Sequence, residues 1–164
     1  MDERIYESLM DMIGDAKTAG YTVFVCSAYR SEDRQYELFD EAMSSAIKKG
    51  MSESEAYDYA ADQYSLPGTS EHQAGLAVDI VPLRQQILNA ALGDTDEEKW
   101  LMKHCAEYGF ILRYPNGRED ITGISYEPWH YRYVGVEAAT YIMENDITLE
   151  EYLDEFYPNH INWK

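Results

Sequence analysis

Basic residues are scarce in this chain: 13 Lys and Arg stand against 31 Asp and Glu, a net charge of −18 at pH 7. A surface of that sign repels polyanions, so nucleic acid is excluded as a partner and an anionic membrane surface is disfavoured. Long hydrophobic runs are missing too, and no stretch approaches the roughly 20 apolar residues that cross a bilayer. The amino terminus, MDERIYESLM, is acidic and amphipathic, without the basic and apolar regions of a signal peptide. That leaves the cytoplasm, or the cell envelope if an export segment lies upstream. Cysteine is limited to Cys26 and Cys105, which have no C-x-x-C spacing and permit one disulfide at most. Their apolar neighbours mark both as buried thiols. No repeat, proline-rich linker or low-complexity segment divides the chain, so one domain is expected over residues 1–164.

What is present suits a folded core. Of the 164 residues 45% are apolar and 13% aromatic, with 15 tyrosines. Disorder is excluded by that composition. Ile5, Leu9, Met12, Ile13 and Ala16 recur at helical spacing over residues 2–19, and Gly20 stops that helix. Residues 21–26 read as a buried strand. Ser31 caps a helix whose first turn carries Glu32 and Asp33, and Gly50 closes it. Ser52 with Glu55, Thr95 with Glu98 and Thr148 with Glu151 have the spacing of capping boxes, each opening a helix. A further helix is predicted over residues 83–92. Strands are predicted over 76–81, 110–114 and 129–134. Helices bracketing short strands without βαβ alternation make an α+β pattern. The acidic runs 94–98 and 150–155 read as solvated helix faces, and the high like charge favours a monomer.

Two histidines sit in unusual company. In Ser70-Glu71-His72-Gln73-Ala74-Gly75-Leu76-Ala77-Val78-Asp79, a continuous helix would set His72 and Asp79 about 10 Å apart along its axis. Gly75 can break the backbone there, leaving Asp79 on the strand that follows. Asp79 shares a strand face with Ala77 and Val81, where a carboxylate is costly unless paired or bound to metal. In Glu127-Pro128-Trp129-His130-Tyr131-Arg132-Tyr133, Pro128 forbids helix and puts His130 on a strand. Two neutral imidazoles and one carboxylate form a catalytic zinc set with one position open, and Glu127 lies near enough to act as a base. The plainer readings stand beside this one: hydrogen-bonded core histidines, and an Asp79 paired with Arg30, Arg84, Arg113 or Arg132. His104 and His160 read as structural. Arg30, in Ser27-Ala28-Tyr29-Arg30-Ser31, falls where a strand passes into a helix, a junction that displays side chains at a sheet edge. There it would hold a carboxylate or an oxyanion, or pair with a surface acid.

SAYRS with Gln35 five residues after Arg30, SEHQAGLAVDI and EPWHYRYVG occur in that order. Together they resemble the zinc D,D-carboxypeptidases of the VanY type, within the group shared with D-Ala-D-Ala dipeptidases and Hedgehog N-terminal domains. The resemblance runs from about residue 2 to about residue 147. It implies a small antiparallel sheet flanked by helices, and zinc held by His72, Asp79 and His130. It also implies that Glu127 is the general base and that Arg30, Gln35 and Ser70 form the substrate pocket. The implied substrate is the peptidoglycan stem peptide, losing its terminal D-alanine outside the membrane in most relatives. Three alternatives stay open: an L,D-carboxypeptidase on tetrapeptide stems, a cell-wall endopeptidase, and a zinc-containing binding module without catalysis.

Overall fold

The computed structural model describes residues 1–158, so His160 lies outside the described residues. Asp2 caps a 3-10 turn at Glu3–Ile5, which leads into helix α1, Tyr6–Thr18. Strand β1 is Val23–Ser27. The helices α2, Glu32–Lys48, and α3, Glu53–Gln63, follow and pack on each other. Ser31 accepts from the Arg34 amide, and Ser52 and Glu55 close a full capping box. A 3-10 turn at Glu71–Ala74 precedes β2, Ala77–Pro82, and another at Ala90–Asp94 precedes α4, Asp96–His104. A last 3-10 turn, Cys105–Tyr108, enters β3, Phe110–Leu112. The short α5, Glu119–Thr122, then leads to β4, His130–Tyr133, and the chain continues in α6, Val136–Glu144, and α7, Leu149–Phe156.

The strands form one antiparallel sheet in the order β1-β2-β4-β3, which makes the fold α+β with helices around a small sheet. Strand alternation divides its residues between two faces. Val78, Ile80 and Tyr131 turn to a core completed by Ile5, Leu9 and Met12 of α1, Leu101 of α4, Cys105 and Phe110. Asp79 and His130, paired across β2 and β4, turn to the opposite face. Along β1 the register shifts between Val25 and Ser27: Val25 faces Ile80, yet Ser27 faces Asp79. This bulge leaves Cys26 without a partner residue and brings the Ser27 hydroxyl to the Asp79 face.

Several expectations need correction. Cys26 is exposed, because outward positions of β1 alternate with Val23 and Val25 and the bulge keeps it outside; only Cys105 is buried. The helix expected over residues 83–92 does not form. Pro82 still belongs to β2, Leu83, Ile87 and Leu88 stay exposed, and Asn89 instead caps the Ala90–Asp94 turn. Of that stretch only Leu92 is buried, and three apolar residues without a surface to pack on do not hold a helix of that length in water.

The acidic run 94–98 is not simply solvated either. Glu97 is buried beside Arg84, and Glu98 is fully buried. Thr95 caps α4 by accepting from the Glu98 amide. The Glu98 carboxylate, however, turns inward and accepts from the Tyr131 hydroxyl at 2.9 Å, so the box is half made. Its Oε1 has no hydrogen-bond partner among the described residues. Burial, aided by the nearby Glu97 charge, raises its pKa to about 8 against the hydrogen bond from Tyr131. The folded protein therefore binds a proton that the unfolded chain releases near pH 4.5. Stability from this group is full below that value and falls as pH rises toward 8, by at most about 1.4 kcal/mol per pH unit. Glu98→Gln keeps the acceptor and removes the titration. Thermal unfolding across this window is expected to show a flatter decline for Glu98→Gln than for the wild type. Equal slopes would show that Glu98 ionises freely in the folded state.

Candidate metal centre and its cavity

The centre is assembled from two short structures that meet at β2. Glycine at 75 is required: it sits at φ +70° as the chain turns from the 3-10 turn into β2. A Cβ there would meet the Asp2 amide nitrogen at 2.8 Å, where that amide donates to the Gly75 carbonyl. The reversal lets His72 come back over the strand that carries Asp79. Backbone bonds fix the junction, with the Arg30 and Gly75 amides both donating to the His72 carbonyl. On β4 the cross-strand pairing places His130 directly beside Asp79. The Glu127 carbonyl accepts from the His130 amide, holding Glu127 at the turn into β4.

His72, Asp79 and His130 are all buried, and one ligand atom from each lies within 4.8 Å of the others. Asp79 stands in the middle. Its Oδ2 is 3.3 Å from His72 Nε2 and its Oδ1 is 3.1 Å from His130 Nδ1. The two imidazoles meet nearly edge to face, with centroids 5.0 Å apart. His72 Nδ1 is 2.7 Å from the Ala28 carbonyl, which takes its N–H and leaves the Nε2 lone pair for the centre. Two nitrogens and a carboxylate converging in this way suit a divalent cation such as zinc.

The electrostatics agree with that use. Burial works against the Asp79 charge, yet hydrogen bonds from His130 and His72 hold its pKa well below the usual carboxylate range. Burial likewise disfavours a charged His130, but Asp79 and Glu71 raise its pKa to about 9. A cation bound among these groups would compete with protons for the same ring nitrogens and carboxylate oxygen. Glu127 stands outside the ligand set, its Oε2 3.7 Å from His130 Nδ1. Burial, with the Asp79 charge adding to it and His130 opposing, raises its pKa to about 7.

A cavity of about 350 Å³ opens onto these groups. Its wall includes Arg30, Ser70, His72, Asp79, Glu127 and His130, so six of the seven residues singled out from the sequence share it. The seventh, Gln35, is fully buried behind Arg30. Its Oε1 accepts from Arg30 Nη1 at 2.9 Å while its amide donates to the Ser65 carbonyl at 2.7 Å. Ser27 accepts from the other Arg30 terminus at 3.1 Å, and Asp79 lies 3.9 Å from it. The guanidinium is thus aimed into the cavity with a face left for a ligand. Arg84 and Arg113 pair elsewhere, with Glu97 and with Glu71 and Glu150, and Arg132 pairs with Glu71. His104 stacks on Trp100 and pairs with Glu107, as expected of a structural residue.

Sequence reasoning passed over Ser27, Tyr114 and Glu71. Tyr114 lies against the His130 ring with centroids 4.9 Å apart. Glu71 lies between Arg113 and Arg132 and pairs with both. Its signal was present but indirect: Arg113, just past β3, and Arg132, on the neighbouring β4, need an acid between them.

The chain belongs to the VanY family, D-alanyl-D-alanine carboxypeptidase, whose pattern it matches over residues 1–136. It is 43% identical to a D-alanyl-D-alanine carboxypeptidase of Enterococcus faecalis over 157 residues, 94% of this chain and 56% of that protein. In fact the chain spans about half the length of the curated relatives it matches. Among solved structures, VanYB in complex with D-alanine-D-alanine superposes with a TM-score of 0.87 at 41% identity, covering 95% of this chain and 83% of that one. A glutamate-to-alanine variant of the vancomycin-resistance D,D-pentapeptidase VanY, in complex with Zn(II), gives 0.83 at 41% identity, covering 93% and 83%. The LdcB LD-carboxypeptidase gives 0.82 at 42% identity, covering 94% and 68%.

Proposed function

We propose that this chain is a zinc-dependent carboxypeptidase that removes the terminal D-alanine from peptidoglycan stem peptides ending in D-Ala-D-Ala. The observation that carries the proposal is the convergence of His72, Asp79 and His130 with Glu127 and Arg30 on one cavity. His72 Nε2, an Asp79 carboxylate oxygen and His130 Nδ1 would hold the metal. Zinc in such a site supplies Lewis-acid polarisation of the scissile carbonyl and lowers the pKa of the attacking water toward 7. Glu127, poised near neutrality by burial, takes the proton of the attacking water and returns it to the leaving amine. Arg30, held by Ser27 and Gln35, faces the charge that develops on the carbonyl oxygen or the terminal carboxylate of the substrate. The Ser70 hydroxyl on the same wall supplies a further polar contact. The chain acts as a single monomeric domain, and its place of action is the cell envelope, where stem peptides are exposed. No helix among the described residues is long and apolar enough to cross a membrane.

A second reading rests on the likeness to LdcB, nearly equal to that of the VanY structures. The same metal chemistry would then cleave the L,D bond of tetrapeptide stems. Mass spectrometry of the zinc-loaded protein with an equal mixture of pentapeptide and tetrapeptide stems separates the two. Loss of one alanine from the pentapeptide alone is expected. Loss from the tetrapeptide alone would move the chain to the L,D class. Zinc-loaded protein that cleaves neither would contradict both and favour an endopeptidase or a binding module.

A further inference from the structure

Glu71 is a partly buried residue, with one carboxylate oxygen shielded from solvent, that the ligand set does not use. Its Oε1 accepts from Arg113 Nε at 2.8 Å and lies 3.0 Å from Arg132 Nη1. Arg113 is itself gripped through both terminal nitrogens by Glu150 of α7, at 3.0 and 2.5 Å. Its guanidinium lies 4.9 Å from the centre of the Tyr114 ring, which in turn packs on His130. The carboxylate is therefore clamped, and its other oxygen is directed at one place. Oε2 stands 3.5 Å from His130 Nε2. Among the described residues neither atom has a hydrogen bond to any other group.

That geometry completes a symmetry. Each ligating histidine turns one ring nitrogen to Asp79 and the other away from the centre. His72 turns its spare nitrogen to the Ala28 carbonyl, and His130 turns its spare nitrogen to Glu71. A neutral imidazole offers a lone pair on one nitrogen only, and the acceptor that takes the opposite N–H decides which one. We infer that Glu71 is a positioning residue of the metal centre, accepting the Nε2–H of His130 and so presenting its Nδ1 lone pair to the ion. The inference deepens the zinc reading above and rests on it. A carboxylate is needed for a specific reason. In a glutamine, the single carbonyl oxygen is claimed by Arg113 and Arg132, and the amide left facing His130 is a donor. It would favour the tautomer with the proton on Nδ1, which cannot bind the metal.

Two measurements test this. Zinc affinity, read by competition with a chromophoric chelator, is expected to fall about ten- to hundredfold in Glu71→Gln. An imidazole proton–nitrogen correlation spectrum of the zinc-loaded wild type is expected to show His130 protonated at Nε2, with slow solvent exchange. The spectrum needs no variant, so it decides the matter even if Glu71→Gln fails to fold. Wild-type zinc affinity in folded Glu71→Gln would overturn the positioning role and leave the zinc reading intact, whereas a His130 proton found on Nδ1 would overturn the positioning role and also remove that nitrogen from the ligand set. A wild type that binds no zinc would overturn the zinc reading itself, and this inference with it.

Discussion

Glu127→Ala is expected to keep its zinc and to lose roughly 10²–10⁴-fold in turnover, the usual weight of a positioned acid–base group. The expectation follows from where the carboxylate lies. It lines the cavity beside the ligands but is not one of the three groups that converge on the metal position. The ligand atoms are anchored by contacts that do not involve its side chain: Ala28 behind His72, and Glu71 behind His130. Removing Glu127 also removes a negative charge near Asp79, which weakens cation attraction somewhat but leaves the donor set whole. Elemental analysis of zinc per chain, made beside an assay of D-alanine release, separates the two effects. Near wild-type turnover would show that another group moves the proton. Loss of zinc in parallel with activity would make Glu127 a ligand.

Asp79→Ala should do the opposite, emptying the centre before any chemistry is tested. Asp79 is the only anion within the three-residue set, and it bridges both histidines. Without it, two neutral imidazoles face the cationic Arg30, now lacking the carboxylate 3.9 Å away. The fall in zinc affinity is expected to exceed the roughly ten- to hundredfold that follows loss of a partner behind a ligand. Asp79→Asn preserves the shape of the side chain and tests charge alone; its affinity should also drop. Unchanged zinc content in both variants would remove Asp79 from the centre and place the ion elsewhere.

The two halves of the site differ in how plainly the sequence displayed them. His72, Asp79 and His130 were legible because a glycine break and strand alternation set their directions locally, and the VanY resemblance named their roles. The shared position of Arg30 was legible as a strand–helix junction. Its aim was not, because the Ser27 contact depends on a bulge in β1 that only the pairing with β2 defines. The helix expected over residues 83–92 failed for a related reason: Leu83, Ile87 and Leu88 meet no partner surface, which no local pattern reveals. Glu98 illustrates the reverse case, a residue with capping-box spacing whose side chain is drawn inward by Tyr131. Glu71 lay in plain view beside His72, but its meaning rests on Arg113, which follows β3, and on Arg132 and His130 of β4.

Anomalous diffraction at the zinc absorption edge, from crystals grown with zinc, addresses the centre directly. One strong peak is expected per chain, within bonding distance of His72 Nε2, an Asp79 oxygen and His130 Nδ1, with Glu127 and Arg30 facing it across the cavity. A peak at any other group of residues, or none in crystals of protein shown to contain zinc, would contradict the assignment on which the proposed hydrolysis rests.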